Sequence, residues 1–262
     1  MKHIIITLIN LITSVSGAEY YFGNVPDKPD KHDKIYSSPR KEILDNVDLR
    51  EQMSTVEDQR TYPTCTSNAV IGLIEFLQLK NNNTQNMSRM FVYYHAQKLD
   101  SKAKGTSIRS ALKAIENDGV CPESQWPYIR QNMTHIPNKV AYELAKNNKI
   151  INYYRVVSEL PRQDEKINQI KTALSEGYPV VFGTTIFKSF MKIKRNGIMK
   201  MPSLNEEIIG NHAMVICGYT QTHFIVRNSW GKKWGDNGYL YMPFEYFNKY
   251  PYSTWDFWIV KQ

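Results

Sequence analysis

Cysteine is scarce in this chain. Cys65, Cys121 and Cys217 are the only three in 262 residues, an odd count that excludes a disulfide framework and leaves room for one pair at most. No Cys-x-x-Cys, His-Glu-x-x-His or phosphate-cradling glycine loop occurs, so metal and nucleotide chemistry have no foothold and no cofactor is expected. Internal repeats and long low-complexity segments are absent. The N-terminal apolar run, Ile4 to Ile12, is shorter than the roughly 20 residues a membrane span needs. Clustered basic charge is missing too. Although 33 Lys and Arg against 25 Asp and Glu give a net charge of +8, these residues are scattered, the densest run being Lys192, Lys194 and Arg195. That pattern describes a solvated basic surface, and no nucleic-acid partner is expected.

What remains is ordinary globular composition, with 42% hydrophobic and 22% charged residues. The length suits one large domain or two small lobes sharing a core. Met1, Lys2 and His3 make a short positive start before the apolar run, and Ser16-Gly17-Ala18 supplies small residues where a signal peptidase cuts. Residues 1–18 therefore read as a secretory signal, implying a secreted or endomembrane-lumen protein. The alternative is an uncleaved segment anchoring the chain to a membrane. Sequons at Asn82, Asn86 and Asn132 are glycan acceptors on that route. Residues 19–44, rich in Pro, Lys, Asp and Ser, read as an extended leader without packed structure, and residues 45–262 as one catalytic-sized domain.

Thr66 to Leu79 is apolar and free of proline, the pattern of a buried helix. Further helices are expected over Ser88 to Leu99, Thr106 to Asn117 and residues 163 to 175, the third closing at Gly119 and the fourth stopped by Gly177 and Pro179. The second half changes character. Val180 to Phe182, His212 to Tyr219, His223 to Arg227, Tyr239 to Met242 and Phe257 to Val260 are short β-branched and aromatic runs separated by turn residues, hence strands. The fold class is α+β, a helical lobe followed by a strand-rich lobe with a cleft between them.

Three segments carry chemistry. Asp58 to Ala69 places Cys65 at the start of the buried helix, where helix-end amides favour a thiolate. Asn211 to Tyr219 puts His212 at the mouth of an apolar strand. Val226 to Tyr239 mixes tryptophan, glycine and Asn228 in a loop whose glycines imply backbone turns that other residues would strain to make. Together they resemble the papain family of cysteine peptidases. Gln59 lies six residues before Cys65, His212 opens a His-Ala-x-x-x-x-Gly-Tyr segment, and Asn228 to Tyr239 matches Asn-Ser-Trp-Gly-x-x-Trp-Gly-x-x-Gly-Tyr at every specified residue. His212 follows Cys65 by 147 residues, within the roughly 130 to 150 such enzymes use.

The resemblance implies a papain-like two-lobed fold, a helical lobe and a β-barrel-like lobe with the active site between them, and a monomeric thiol protease acting on peptides or proteins. Cys65 is then the nucleophile in an ion pair with His212, and Asn228 orients the imidazole. Trp230 shields that bond from water, and Gln59 joins the Cys65 amide in an oxyanion hole. Gly105 and Thr106 resemble the glycine-bearing wall along which substrate backbone lies. The sequence departs from the family at Pro63-Thr64 before the nucleophile, at Thr66 after it, and at Tyr62, where the family carries a disulfide cysteine. With no element in view that closes one end of the cleft, endopeptidase is the default expectation. Competing readings are an inactive relative that binds peptides, and an amidase or transglutaminase-like acyl transfer by the same Cys-His pair.

Overall fold

The computed structural model describes residues 14–15, 18–19, 22–38, 42–100, 103–150, 152–157, 163–249 and 253–261. Most of the expected signal, including Ile4 to Ile12, lies outside them; β1 (Ser14–Val15) and β2 (Ala18–Glu19) form a short antiparallel pair. No helix among the described residues is long and apolar enough to cross a membrane.

The helical lobe is built on α1 (Cys65–Lys80), whose residues from Cys65 to Leu77 are all buried. A helix apolar on all sides has to run through the core rather than along its surface. It packs against α2 (Arg89–Leu99), α3 (Ile108–Asp118) and the β-rich lobe. The second and third helices begin one and two residues later than expected because Ser88 and Ser107 serve as caps. Their hydroxyls accept from the backbone N–H of Phe91 and Ser110, relieving amides a helix start leaves unpaired. Gly119, at φ 77°, caps the C-terminus of α3 as expected, in a conformation that favours glycine.

A short α4 (Lys139–Ala145), capped by Asn138, and β4 (Asn152–Arg155) were not signalled by the sequence. Only Ala141 and Ala145 of the helix are buried, and the strand is half-buried throughout, so neither shows an apolar period. After α5 (Gln163–Ser175) come β5 (Val180–Phe187), β6 (Ile208–Tyr219), β7 (His223–Arg227), β8 (Tyr239–Pro243), α6 (Phe244–Lys249) and β9 (Thr254–Lys261). The strands order as β4-β9-β5-β6-β7-β8, all antiparallel, with β3 (Val47–Asp48) pairing with the far end of β6. Strand β6 starts four residues before His212, so that histidine sits within the strand, opposite Thr184, rather than at its mouth.

All three cysteines are buried and unpaired, Cys121 and Cys217 included. Of the three sequons, Asn82 and Asn86 are exposed. Asn132 is buried and donates its side-chain amide to the Pro127 carbonyl at 2.8 Å, which withholds it from a glycan in the folded chain.

Candidate active site at the junction of helix and sheet

Three elements, α1, β6 and the end of β7, bring together Cys65, His212 and Asn228. Cys65 is the first residue of α1, so its sulfur sits at the positive end of a 16-residue helix. His212 comes from β6 and Asn228 follows β7 directly. The imidazole Nε2–H donates to Asn228 Oδ1 at 2.8 Å, and the same oxygen accepts from the Ser229 amide at 2.8 Å. This leaves Nδ1 as the other ring atom, buried and without a hydrogen-bond partner among the described residues.

Two loops are stitched together beside this pair. The Gln59 amide donates to the Ser229 carbonyl at 2.8 Å, and the Gly231 amide to the Glu57 carbonyl at 2.9 Å. The Gln59 side chain is locked by a bond from Ser229 Oγ to its Oε1 at 2.6 Å and by its own Nε2 donation to the Tyr62 carbonyl at 3.0 Å. Trp230 stacks over the site, its ring 5.2 Å from that of His212 at a tilt of 37°. The glycines of this loop are required. Gly231 has φ 74°, and at Gly238, φ 93°, a Cβ would lie 2.6 Å from the Val56 side chain.

Where the family's disulfide cysteine would stand, Tyr62 packs its ring against Tyr128 at 5.6 Å. The Tyr128 hydroxyl donates to the Gln59 carbonyl at 3.0 Å and also meets the Thr64 hydroxyl. Hydrogen bonds thus brace the loop from Gln59 to Cys65.

The leader, which the sequence marks only as extended, crosses this site. The Thr106 amide donates to the Gly23 carbonyl at 2.8 Å, and the Val25 amide donates to the Thr106 carbonyl at 3.1 Å. On the opposite side the Asn24 amide reaches the Asn211 carbonyl at 3.3 Å. Phe22 packs edge-on against His212, ring centres 5.9 Å apart. Gly105, at φ 130°, permits the close passage, since a Cβ there would lie 2.0 Å from the Gly23 carbonyl oxygen. Further along, the leader bridges to β4, with Arg155 and Tyr36 amides bonded to the Lys34 and Arg155 carbonyls at 2.8 Å each.

A buried charge cluster anchors it. Leader residues Asp27 and Asp33 meet Arg109 of α3, Arg155 of β4, and Asp256 and Trp258 of β9. Arg109 grips Asp33 at 2.8 and 2.5 Å, and Arg155 reaches Asp33 at 3.0 Å and Asp256 at 3.2 Å. The Asp27 amide donates to Asp256 at 2.6 Å, while its carboxylate accepts from Trp258 Nε1 at 2.9 Å and the Arg109 amide at 3.1 Å.

With the leader in place Cys65 and His212 are both fully buried. Burial pushes the thiol pKa up, outweighing the amides of Ala213 and Gly23 that point at the sulfur. Burial also drives His212 down to about 4 against the pull of its Asn228 bond. The thiolate–imidazolium pair expected from the sequence is therefore not the state the covered cleft favours. With water excluded, both groups are held neutral.

The residues the sequence singled out, Cys65, His212, Asn228, Gln59, Trp230, Gly105 and Thr106, all gather at this one place. Phe22, Asn24, Tyr128 and Trp255 were missed, and nothing periodic or motif-like in the leader marks the first two.

Comparison with known proteins agrees with this architecture. The model of the papain family cysteine proteases matches residues 43–252. The chain is 36% identical to the uncharacterized peptidase C1-like protein L477 of Acanthamoeba polyphaga mimivirus, over 92% of this chain and 86% of that one. Among solved structures it is similar to xylellain, a cysteine protease from Xylella fastidiosa, with a TM-score of 0.83, 32% identity, and coverage of 92% of this chain and 96% of that one. It shares its fold with digestive procathepsin L 3 of Tenebrio molitor larval midgut, at a TM-score of 0.71 and 20% identity over 88% of this chain and 74% of the other. The chain belongs to the papain family of cysteine peptidases.

Proposed function

We infer that the chain is an endopeptidase that works through Cys65, His212 and Asn228 and is held closed by its own leader. The observation that carries this reading is the leader itself, a peptide strand lying across the N-terminus of α1. It has Phe22 beside His212, Asn24 beside Thr106 and Asp27 beside Trp258. A cleft that accommodates chain on both sides of Cys65 has room for substrate on both sides of a scissile bond.

In the open enzyme, His212 Nδ1 takes the Cys65 proton and the thiolate attacks the peptide carbonyl carbon. The oxyanion that forms is met by the Gln59 side-chain amide and the Cys65 backbone N–H. Collapse breaks the C–N bond, His212 gives its proton to the departing amine, and a thioester remains on Cys65. Water, deprotonated by His212, then hydrolyses the thioester and restores the thiol. Asn228 keeps the imidazole in the plane both transfers need, and Trp230 keeps water from competing for that bond. In the leader the Gly23 carbonyl is already taken up by the Thr106 amide. Entry to a secretory pathway belongs to the same reading, resting on the N-terminal segment; mass and glycan analysis of the protein secreted from expressing cells tests it.

The direct test is labelling of the full chain by an epoxysuccinyl thiol-protease inhibitor, alongside peptide hydrolysis, in wild type, Cys65→Ala and a variant with a loosened leader such as Asp33→Ala. Slow labelling of wild type, faster labelling of Asp33→Ala with peptide turnover, and none in Cys65→Ala is expected. Labelling without turnover in Asp33→Ala would refute the peptidase reading and leave a peptide-binding relative.

A further inference from the structure

The leader's Asn24 occupies a pocket whose chemistry is unusually specific. Its side chain is buried, with Oδ1 accepting from the Trp255 indole N–H at 3.0 Å and Nδ2 donating to Thr66 Oγ1 at 3.4 Å. Thr66 cannot reverse that role, because its own hydroxyl proton is committed to the Thr106 carbonyl at 2.9 Å. One wall of the pocket is Gly183, where a Cβ would come within 2.3 Å of Trp255 Nε1 and 2.5 Å of Asn24 Oδ1. The other decisive feature is backbone. The pairing of β5 with β9 slips between Val181 and Gly183, and Asp256 adopts φ 53°, a bulge that brings both Trp255 and Trp258 to face the leader.

We propose that this pocket is a specificity site for a carboxamide side chain, so that the enzyme selects peptides with asparagine at the residue lying opposite Thr106. The inference rests on the peptidase reading above. Donor and acceptor are fixed on opposite sides, and only a carboxamide satisfies both. Aspartate would turn a second oxygen toward the Thr66 lone pairs. Leucine would bury the indole N–H without a partner, the situation in which polar sites reject apolar analogues strongly. Glutamine is one methylene too long for a pocket floored by Gly183. Because the Thr106 N–H and C=O flank the residue opposite them, a substrate held by the same pair sends its side chain here whichever way its chain runs.

Two measurements on the full chain test this, and the first needs no catalysis. The rate of Cys65 alkylation by iodoacetamide, located by peptide mapping, reports leader opening. Asn24→Leu and Asn24→Asp should each raise it tenfold or more, and Asn24→Leu should add little once Trp255→Phe has removed the indole donor. Unchanged alkylation in Asn24→Leu, or full additivity of the two substitutions, would overturn the proposal. The second is cleavage-site profiling of a peptide library by the Asp33→Ala enzyme. Asparagine should be enriched at one position, with kcat/KM at least tenfold above the Asp and Leu analogues, and Trp255→Phe should erase that margin. Equal use of Asn and Leu also overturns it. If no peptide is cut while the alkylation pattern holds, the peptidase reading fails and the carboxamide pocket stands as a binding site.

Discussion

The charge cluster that anchors the leader makes its release depend on pH in a direction set by two carboxyls. Asp27 and Asp256 face each other in a site that burial has largely emptied of water, with Arg109, Arg155 and Asp33 completing the set. Burial raises Asp27 despite Arg109 and Arg155, and burial together with the Asp27 charge pushes Asp256 from 3.8 up to about 7. When the leader lifts off, both carboxyls regain water and return toward ordinary values. Between about pH 4 and 7 the docked state therefore binds more protons than the open state. Docking is strongest in acid and weakens as the pH rises from about 4 to 7. The perturbation that isolates this effect is Asp256→Asn. Asparagine tolerates the φ of 53° at this position and nearly preserves shape, but cannot take up the proton. The variant changes the absolute docking strength, since one of the Asp27 and Arg155 donors loses its acceptor, yet it flattens the slope. Iodoacetamide alkylation of Cys65 in the full chain, measured from pH 4 to 8 and taken as the ratio of wild type to Asp256→Asn, cancels the titration of the thiol itself. That ratio should climb between pH 4 and 7. A flat ratio, or a wild-type leader that loosens in acid, would refute the reasoning.

Three further outcomes follow from the site. Gln59→Ala removes the side-chain donor proposed for the oxyanion and should lower kcat by about 10²–10³ with little change in KM, read by steady-state peptide hydrolysis. Asn228→Ala deletes the 2.8 Å bond to the imidazole, worth about 0.5–1.5 kcal/mol. It should lower kcat about two- to tenfold and move the His212 titration, followed by NMR, further down, because that bond is what pulls its pKa upward. Gly105→Ala places a Cβ against the Gly23 carbonyl and should speed Cys65 labelling by dislodging the leader, with a far smaller effect on thermal stability than a core truncation.

Much of the site was legible because its parts are local. Cys65 at a helix start, Gln59 six residues earlier, and an asparagine in a loop whose glycines adopt left-handed φ are properties of short segments. The buried helix and the main strands follow likewise from unbroken apolar runs; two helices start late where Ser88 and Ser107 cap them, and β5, β6 and β9 run beyond their apolar cores. Helix α4 and strand β4 escaped notice because each buries too little to impose a period.

What the sequence by itself determined is the set of reacting groups and the elements that carry them, since helix, strand and turn preferences act over a few residues. Tertiary structure alone decided the rest. It laid a polar leader without apolar pattern into the cleft through backbone bonds and ion pairs with residues 76 or more positions away. A bulge at Asp256 turned two tryptophans to the same face, and the Tyr128 hydroxyl took up the bracing of the Gln59 loop. By covering Cys65 and His212, the leader also removed their expected charges, because the cost of ionisation depends on how much water the whole fold leaves around a group.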